Sequence, residues 1–213
     1  MKYEALEVLK NRRAIRAYKP DQITEEELNA VLEAGTYAPT GGGTQGVQIV
    51  AVQSPESVAA VDALNAKVLN NPKAHPYYGA PTVILVFETQ ACVTHELDGA
   101  AVCTNLVNAA YAAGLGSCWI HRCKQMFELP EGKALLKQWG LPETLVGVAS
   151  IALGSANCEQ PTAKPRKADY ITRVCSDVAC FHRMARPDGP ANPDGRNGHP
   201  GGLLRLRLPG TQN

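Results

Sequence analysis

Net charge, long apolar runs and a cysteine framework are all scarce in this chain. The formal net charge is only +1 over 213 residues, so nothing electrostatic points to nucleic acid or to an anionic membrane as partner. The longest apolar stretches, such as residues 81–87, fall far short of the roughly 20 residues that a membrane helix needs. The opening MKYEALEVLKNRR is charged and amphipathic and lacks the apolar centre of a signal peptide. Seven cysteines are an odd number, and their spacing matches no secreted disulfide scaffold. Together these absences predict a soluble cytoplasmic protein with no nucleic-acid and no membrane partner. The remaining composition, 45% hydrophobic and 19% charged, is that of a globular domain able to bury a core.

Periodicity supplies the elements. A first helix is expected over residues 3–11, with Leu6 and Leu9 inward, and a turn at Lys19-Pro20-Asp21. Thr24 with Glu27 forms a capping-box pattern, opening a helix that buries Leu28, Val31, Leu32 and Gly35 at i, i+3, i+4 and i+7. Residues 38–46 (APTGGGTQG) read as an irregular glycine loop. Strands are predicted at residues 47–53, 81–88, 118–120 and 146–153. Helices are predicted at residues 57–69, 96–115 and 132–139. The alanine-rich helix at 96–115 is apolar nearly all round and therefore buried. The sum is an α/β chain, a small sheet wrapped by helices. From Met184 onward, five prolines and six glycines fall among 30 residues. That density predicts an irregular tail, in which residues 203–208 offer an edge-strand pattern.

Three segments bear on chemistry. Asn11-Arg12-Arg13-Ala14-Ile15-Arg16 places three arginines directly after a helix, where forked guanidiniums can grip phosphate oxygens or simply complement the helix dipole. Lys164-Pro165-Arg166-Lys167 is a second basic cluster beside a turn. Pro39-Thr40-Gly41-Gly42-Gly43-Thr44-Gln45 lets backbone approach a ligand closely, but it fits neither the Walker pattern nor the dinucleotide fingerprint. Cys118-x-x-His121-x-Cys123 and Cys175-x4-Cys180-x-His182 carry metal-ligand residue types without paired zinc spacing, so no metal is expected. Trp119 and Tyr37 are expected in the core or in a pocket wall.

Taken together, these segments resemble the nitroreductase family. Residues 11–18 are similar to its opening RRSxRxF/Y, residues 33–42 (EAGTYAPTGG) to EAGRxAPSGGN, and residues 79–83 to its APxxI stretch. Residues 114–120 (GLGSCWI) match GLGSCWI, and Lys164-Pro165-Arg166 falls at the final K-x-R. All five occur in the family's order, covering about residues 3–174. The resemblance implies an α+β fold with a mixed β-sheet flanked by helices, in an intertwined homodimer holding FMN at its interface. It divides the chain into a domain over 1–174 and an extension over 175–213.

By the same resemblance, Arg12, Arg13 and Arg16, with Arg166 and Lys164, would hold the FMN phosphate. Pro39, Thr40, Gly41 and Gly43 would reach the flavin ring from the partner subunit, and the backbone at His121 and Arg122 would donate near N5. Ala14 stands where the family has serine and Gly43 where it has asparagine, each removing a polar contact. The implied activity is ping-pong transfer of electrons from NADH or NADPH to nitroaromatics, quinones or similar acceptors, with no catalytic side chain. The alternatives are a protein that stores or senses FMN without turnover, and other flavin chemistry.

Overall fold

The computed structural model describes residues 4–89 and 93–174. The chain divides into two compact units, Met1–Lys164 and Pro165–Asn213. The predicted tail, with Cys175, Cys180, His182 and residues 203–208, lies outside the described residues.

The first unit is a four-stranded sheet with strand order β1-β2-β4-β3, built from β1 (Val47–Val52), β2 (Thr82–Glu88), β3 (Gly116–Ile120) and β4 (Val146–Gly154). All three pairings are antiparallel. The parallel component of the mixed sheet is confined, among the described residues, to an isolated bridge between Ala14 and Ser117.

Among the described residues six helices accompany the sheet: α1 (Glu4–Asn11), α2 (Glu25–Thr36), α3 (Pro55–Val68), α4 (His95–Ala112), α5 (Cys123–Glu128) and α6 (Pro130–Gln138). Strand β2 shows why its sequence is uniformly apolar. Val83, Leu85 and Phe87 enter one core with residues of α3, α5 and α6, while Ile84 and Val86 enter a second with residues of α2 and α4. A strand buried on both faces has no solvent side to mark with polar residues. Among the described residues no helix is long and apolar enough to cross a membrane.

The predicted capping box is formed in both directions. Thr24 accepts from the Glu27 amide at 3.2 Å, and the Glu27 carboxylate accepts from the Thr24 amide at 2.8 Å. Leu28, Val31 and Gly35 are buried, with Leu32 half-buried. Glycine at 35 eases the approach of α4, since a Cβ there would stand 2.7 Å from the tip of the Leu106 side chain. The prediction for α1 does not hold: Leu6 and Leu9 are 48% and 57% exposed, and no residue of that helix is buried. Helical periodicity identifies an apolar side without saying what covers it. Tyr37 and Trp119 are likewise exposed, at 78% and 40%, so neither is a core residue. Helix α5 was not foreseen; six residues are too few to show a helical period.

Gly147 in β4 lets α5 lie against the sheet, because a Cβ there would fall 2.6 Å from the Cys123 backbone. Backbone cannot move aside as a side-chain tip can. Gly147→Ala is expected to lower the unfolding free energy in urea by about 3 kcal/mol, and an unchanged midpoint would show that α5 adjusts freely.

Candidate functional site

After α1 the chain runs extended along the outer edge of β3. The Ile15 amide donates to the Ser117 carbonyl at 3.0 Å, and Ala14 bridges Ser117. The segment leaving β4 then returns alongside. Lys19 donates to Ser155 and Asn157 to Ala17, each at 2.9 Å, and the Gln160 side chain donates to the Asn11 carbonyl at 2.8 Å. Tyr18 anchors this region from beneath, its hydroxyl donating to Ile15 at 2.8 Å.

This pairing closes a small cavity of about 120 Å³ whose lining includes Arg12, Arg13, Ser117, Cys158 and Gln160. Arg13 divides its guanidinium. Its Nη1 donates to the Lys10 and Arg12 carbonyls at 2.8 and 2.6 Å, so it caps the end of α1, whereas its buried Nε has no partner among the described residues. The hydroxyl of Ser117, a residue only 2% exposed, is also buried without a partner among them. Buried polar groups are normally paired. Two unused donors beside Arg12 form a donor set suited to an anion.

Arg16 is exposed, 6.0 Å over the ring of Tyr78. Burial pushes the Cys118 thiol up, and the positive charges of Arg16 and Arg12 both oppose that shift.

Beyond β3, His121 is exposed and Arg122 adopts left-handed backbone, φ 81° and ψ 5°. For a residue with a Cβ this conformation costs about 1 kcal/mol or more, so something holds it. Arg122 Nε donates to Asn65 Oδ1 at 2.8 Å. Among the described residues, neither the His121 nor the Arg122 amide donates to a backbone carbonyl.

The glycine loop lies elsewhere in the unit. Gly41–Gly43 form a single 3-10 turn, with Gly42 and Gly43 at φ 61° and 68°, where residues 38–46 were expected to be wholly irregular. The Gly41 amide donates to both carboxylate oxygens of buried Asp98 in α4, at 3.0 and 3.1 Å. Thr40 lines a separate cavity of about 760 Å³ with Leu32, Val47 and Ile49. Pro39 is exposed beside it. Thr40 thus lines a different cavity from the one that Arg12 and Arg13 line. Lys164 closes the first unit and Arg166 lies in the second. Cys118, His121 and Cys123 form no metal-holding cluster among the described residues.

The nitroreductase family model matches residues 9–155, more than two thirds of the chain. The chain belongs to the nitroreductase family. Solved nitroreductases share its fold. That of Bacteroides fragilis with bound FMN is 32% identical, aligning over 81% of this chain and 100% of its own, with a TM-score of 0.75. That of Desulfitobacterium hafniense with bound FMN is 26% identical over 82% of this chain and 100% of its own, with a TM-score of 0.73. A protein of Archaeoglobus fulgidus, provisionally named NADH dehydrogenase/NAD(P)H nitroreductase, is 25% identical over 154 residues, 71% of this chain and 84% of its own. The family match ends at residue 155. The segment that continues to Gln160 is what completes this chain's arginine cavity.

Sequence reading had not singled out Ser117, Gln160, Asn65 or Asp98. The available signal was a polar residue inside an apolar run: Asn65 between Leu64 and Ala66, Ser117 before Cys118, Asp98 in α4. Burial separates the cysteines too. The thiol of Cys103 is pushed up to about 12, and those of Cys118 and Cys123 are also raised, first by burial, while Cys158 is exposed. Of these four, Cys158 is expected to be alkylated first at neutral pH, as mapped by peptide mass spectrometry. Equal labelling of Cys123 would mean that α5 opens readily.

Proposed function

We propose that this chain binds FMN and passes electrons from NADH or NADPH to oxidised organic acceptors such as nitroaromatics and quinones. Donor and acceptor use one site in turn, a ping-pong scheme. The observation that carries the reading is the arginine cavity. A phosphate monoester brings about two negative charges and three acceptor oxygens, and beside the Arg13 Nε and Ser117 hydroxyl, unpartnered among the described residues, stands the fork of Arg12. The donor set fits that group. FMN bound to the Bacteroides fragilis and Desulfitobacterium hafniense nitroreductases supports the same cofactor here, and the name of the Archaeoglobus relative supports a nicotinamide donor.

Bound FMN supplies the hydride chemistry. The chain's residues bind and orient. Arg12 and Arg16, with Lys164, hold the phosphate end, and Arg13 contributes its Nε while capping α1. The amides of His121 and Arg122, without a partner among the described residues, offer donors to charge that develops on reduction. No side chain is assigned a proton-transfer role. Ala14 supplies no hydroxyl, but Ser117, bridged to it, lines the cavity with one.

A homodimer completes the reading. Thr40 lines a different cavity from that of Arg12 and Arg13, and we assign it, with Gly41 and Gly43, to the partner's flavin. The exposed Leu6 and Leu9 of α1 support such an interface. Free cysteines fit a reducing cytoplasm.

The purified protein is expected to be yellow and to release FMN on denaturation. Its flavin should bleach under anaerobic NADH or NADPH and recover on adding a quinone. Colourless protein that takes up no FMN would sink the proposal, and flavin that never bleaches would point to storage. Arg12→Ala is expected to weaken FMN binding at least tenfold, by roughly the worth of a charged hydrogen bond; unchanged affinity would move the phosphate elsewhere. Leu9→Asp is expected to shift the light-scattering mass from dimer towards monomer, and a wild-type monomer would remove the shared site.

A further inference from the structure

Asn65 has no exposed surface, although it sits on a helix between buried Leu64 and Ala66. Such a position usually carries an apolar residue, and an amide there needs every partner satisfied. All its groups are used. Because arginine only donates, the Arg122 contact at 2.8 Å fixes Oδ1 on that side. Nδ2 then donates to the His121 carbonyl and to the Tyr77 hydroxyl, both at 3.2 Å.

The network continues to Ser150. The Tyr77 hydroxyl lies 2.8 Å from that of Ser150, and Ser150 donates to the Ile120 carbonyl at 3.3 Å. Either hydroxyl can donate between the two, and Tyr77 also donates to the Met126 sulfur at 3.7 Å. Burial pushes the Tyr77 hydroxyl up, so it keeps its proton. Three successive residues leaving β3 are thereby tied to one buried network: Ile120 and His121 by their carbonyls, Arg122 by its side chain. The last of these holds left-handed backbone that only glycine adopts freely. Asn65 is contributed by α3, Tyr77 by the loop before β2 and Ser150 by β4, so three distant parts of the chain converge on one turn.

We propose that Asn65 is a positioning residue for the flavin site: it holds the 121–122 turn so that its amides stay aimed at the flavin edge that gains charge on reduction. This rests on the FMN reading above.

The test uses the full chain with Asn65→Ala, Tyr77→Phe and the double variant Asn65→Ala/Arg122→Gly. Amide hydrogen exchange without flavin is expected to quicken at residues 121 and 122 in Asn65→Ala by more than the change at core amides of β2. With FMN bound, the preference for reduced over oxidised flavin should fall about tenfold, which is about 30 mV for a two-electron couple. Tyr77→Phe, which keeps the ring, should shift it the same way by less. The double variant should recover part of the loss, because glycine adopts the turn without an anchor.

Exchange that rises only as much as in β2, or a potential equal to wild type in both Asn65→Ala and Tyr77→Phe, would overturn the positioning role while leaving FMN binding intact. Wild-type protein that takes up no FMN would overturn the flavin reading itself, and this proposal with it.

Discussion

The hydrogen bond from the Ile15 amide to the Ser117 carbonyl ties the arginine segment to the sheet, and the candidate site depends on that tie. Strand β3 is the outer strand of four, so its free edge is available for pairing. Residues 14–15 use part of it, and the segment after β4 seals the other side of residues 17–19. Without that pairing, Arg12 and Arg13 would be a basic helix end in solvent. With it, they share a cavity with a buried hydroxyl.

The same economy governs the rest of the unit. Strand β2 is buried on both faces, so helices must cover both sides, and close approach is allowed where side chains vanish. A Cβ at Gly99 would stand 2.7 Å from Val148, and one at Gly35 equally close to Leu106. These contacts bring α4 down onto the sheet and α2 onto α4. Asp98 then faces the glycine loop and accepts the Gly41 amide. The loop's shape is therefore set by a carboxylate on a neighbouring helix as well as by its own glycines.

Charge is concentrated rather than abundant. A net charge of +1 says nothing of nucleic acid or membrane, yet the guanidiniums of Arg12 and Arg16 both act on the Cys118 thiol. Elsewhere the buried polar groups serve geometry. Asn65, Tyr77 and Ser150 are satisfied among themselves and by the turn after β3, and they use the low dielectric of the core to hold that turn firmly.

Much of the fold was legible in the residues. The capping box at Thr24 and Glu27, the apolar run of β2 and the alanine-rich α4 each carry a local signal that folding preserves. The ordered motifs around Arg12, Gly41, Trp119 and Arg166 were enough to name the family. Local pattern could not say that Leu6 and Leu9 face outward, that α5 exists, or that Asn65 reaches Arg122. Those facts depend on which surfaces meet, and meeting is decided by packing between segments far apart in the chain. Sequence by itself determined most of the elements, α5 excepted, and the chemistry available at Arg12, Arg13 and Arg16. Only the tertiary structure decided that Ser117 joins the first two in one cavity while the glycine loop opens on another, because backbone pairing and close packing act across the chain rather than along it.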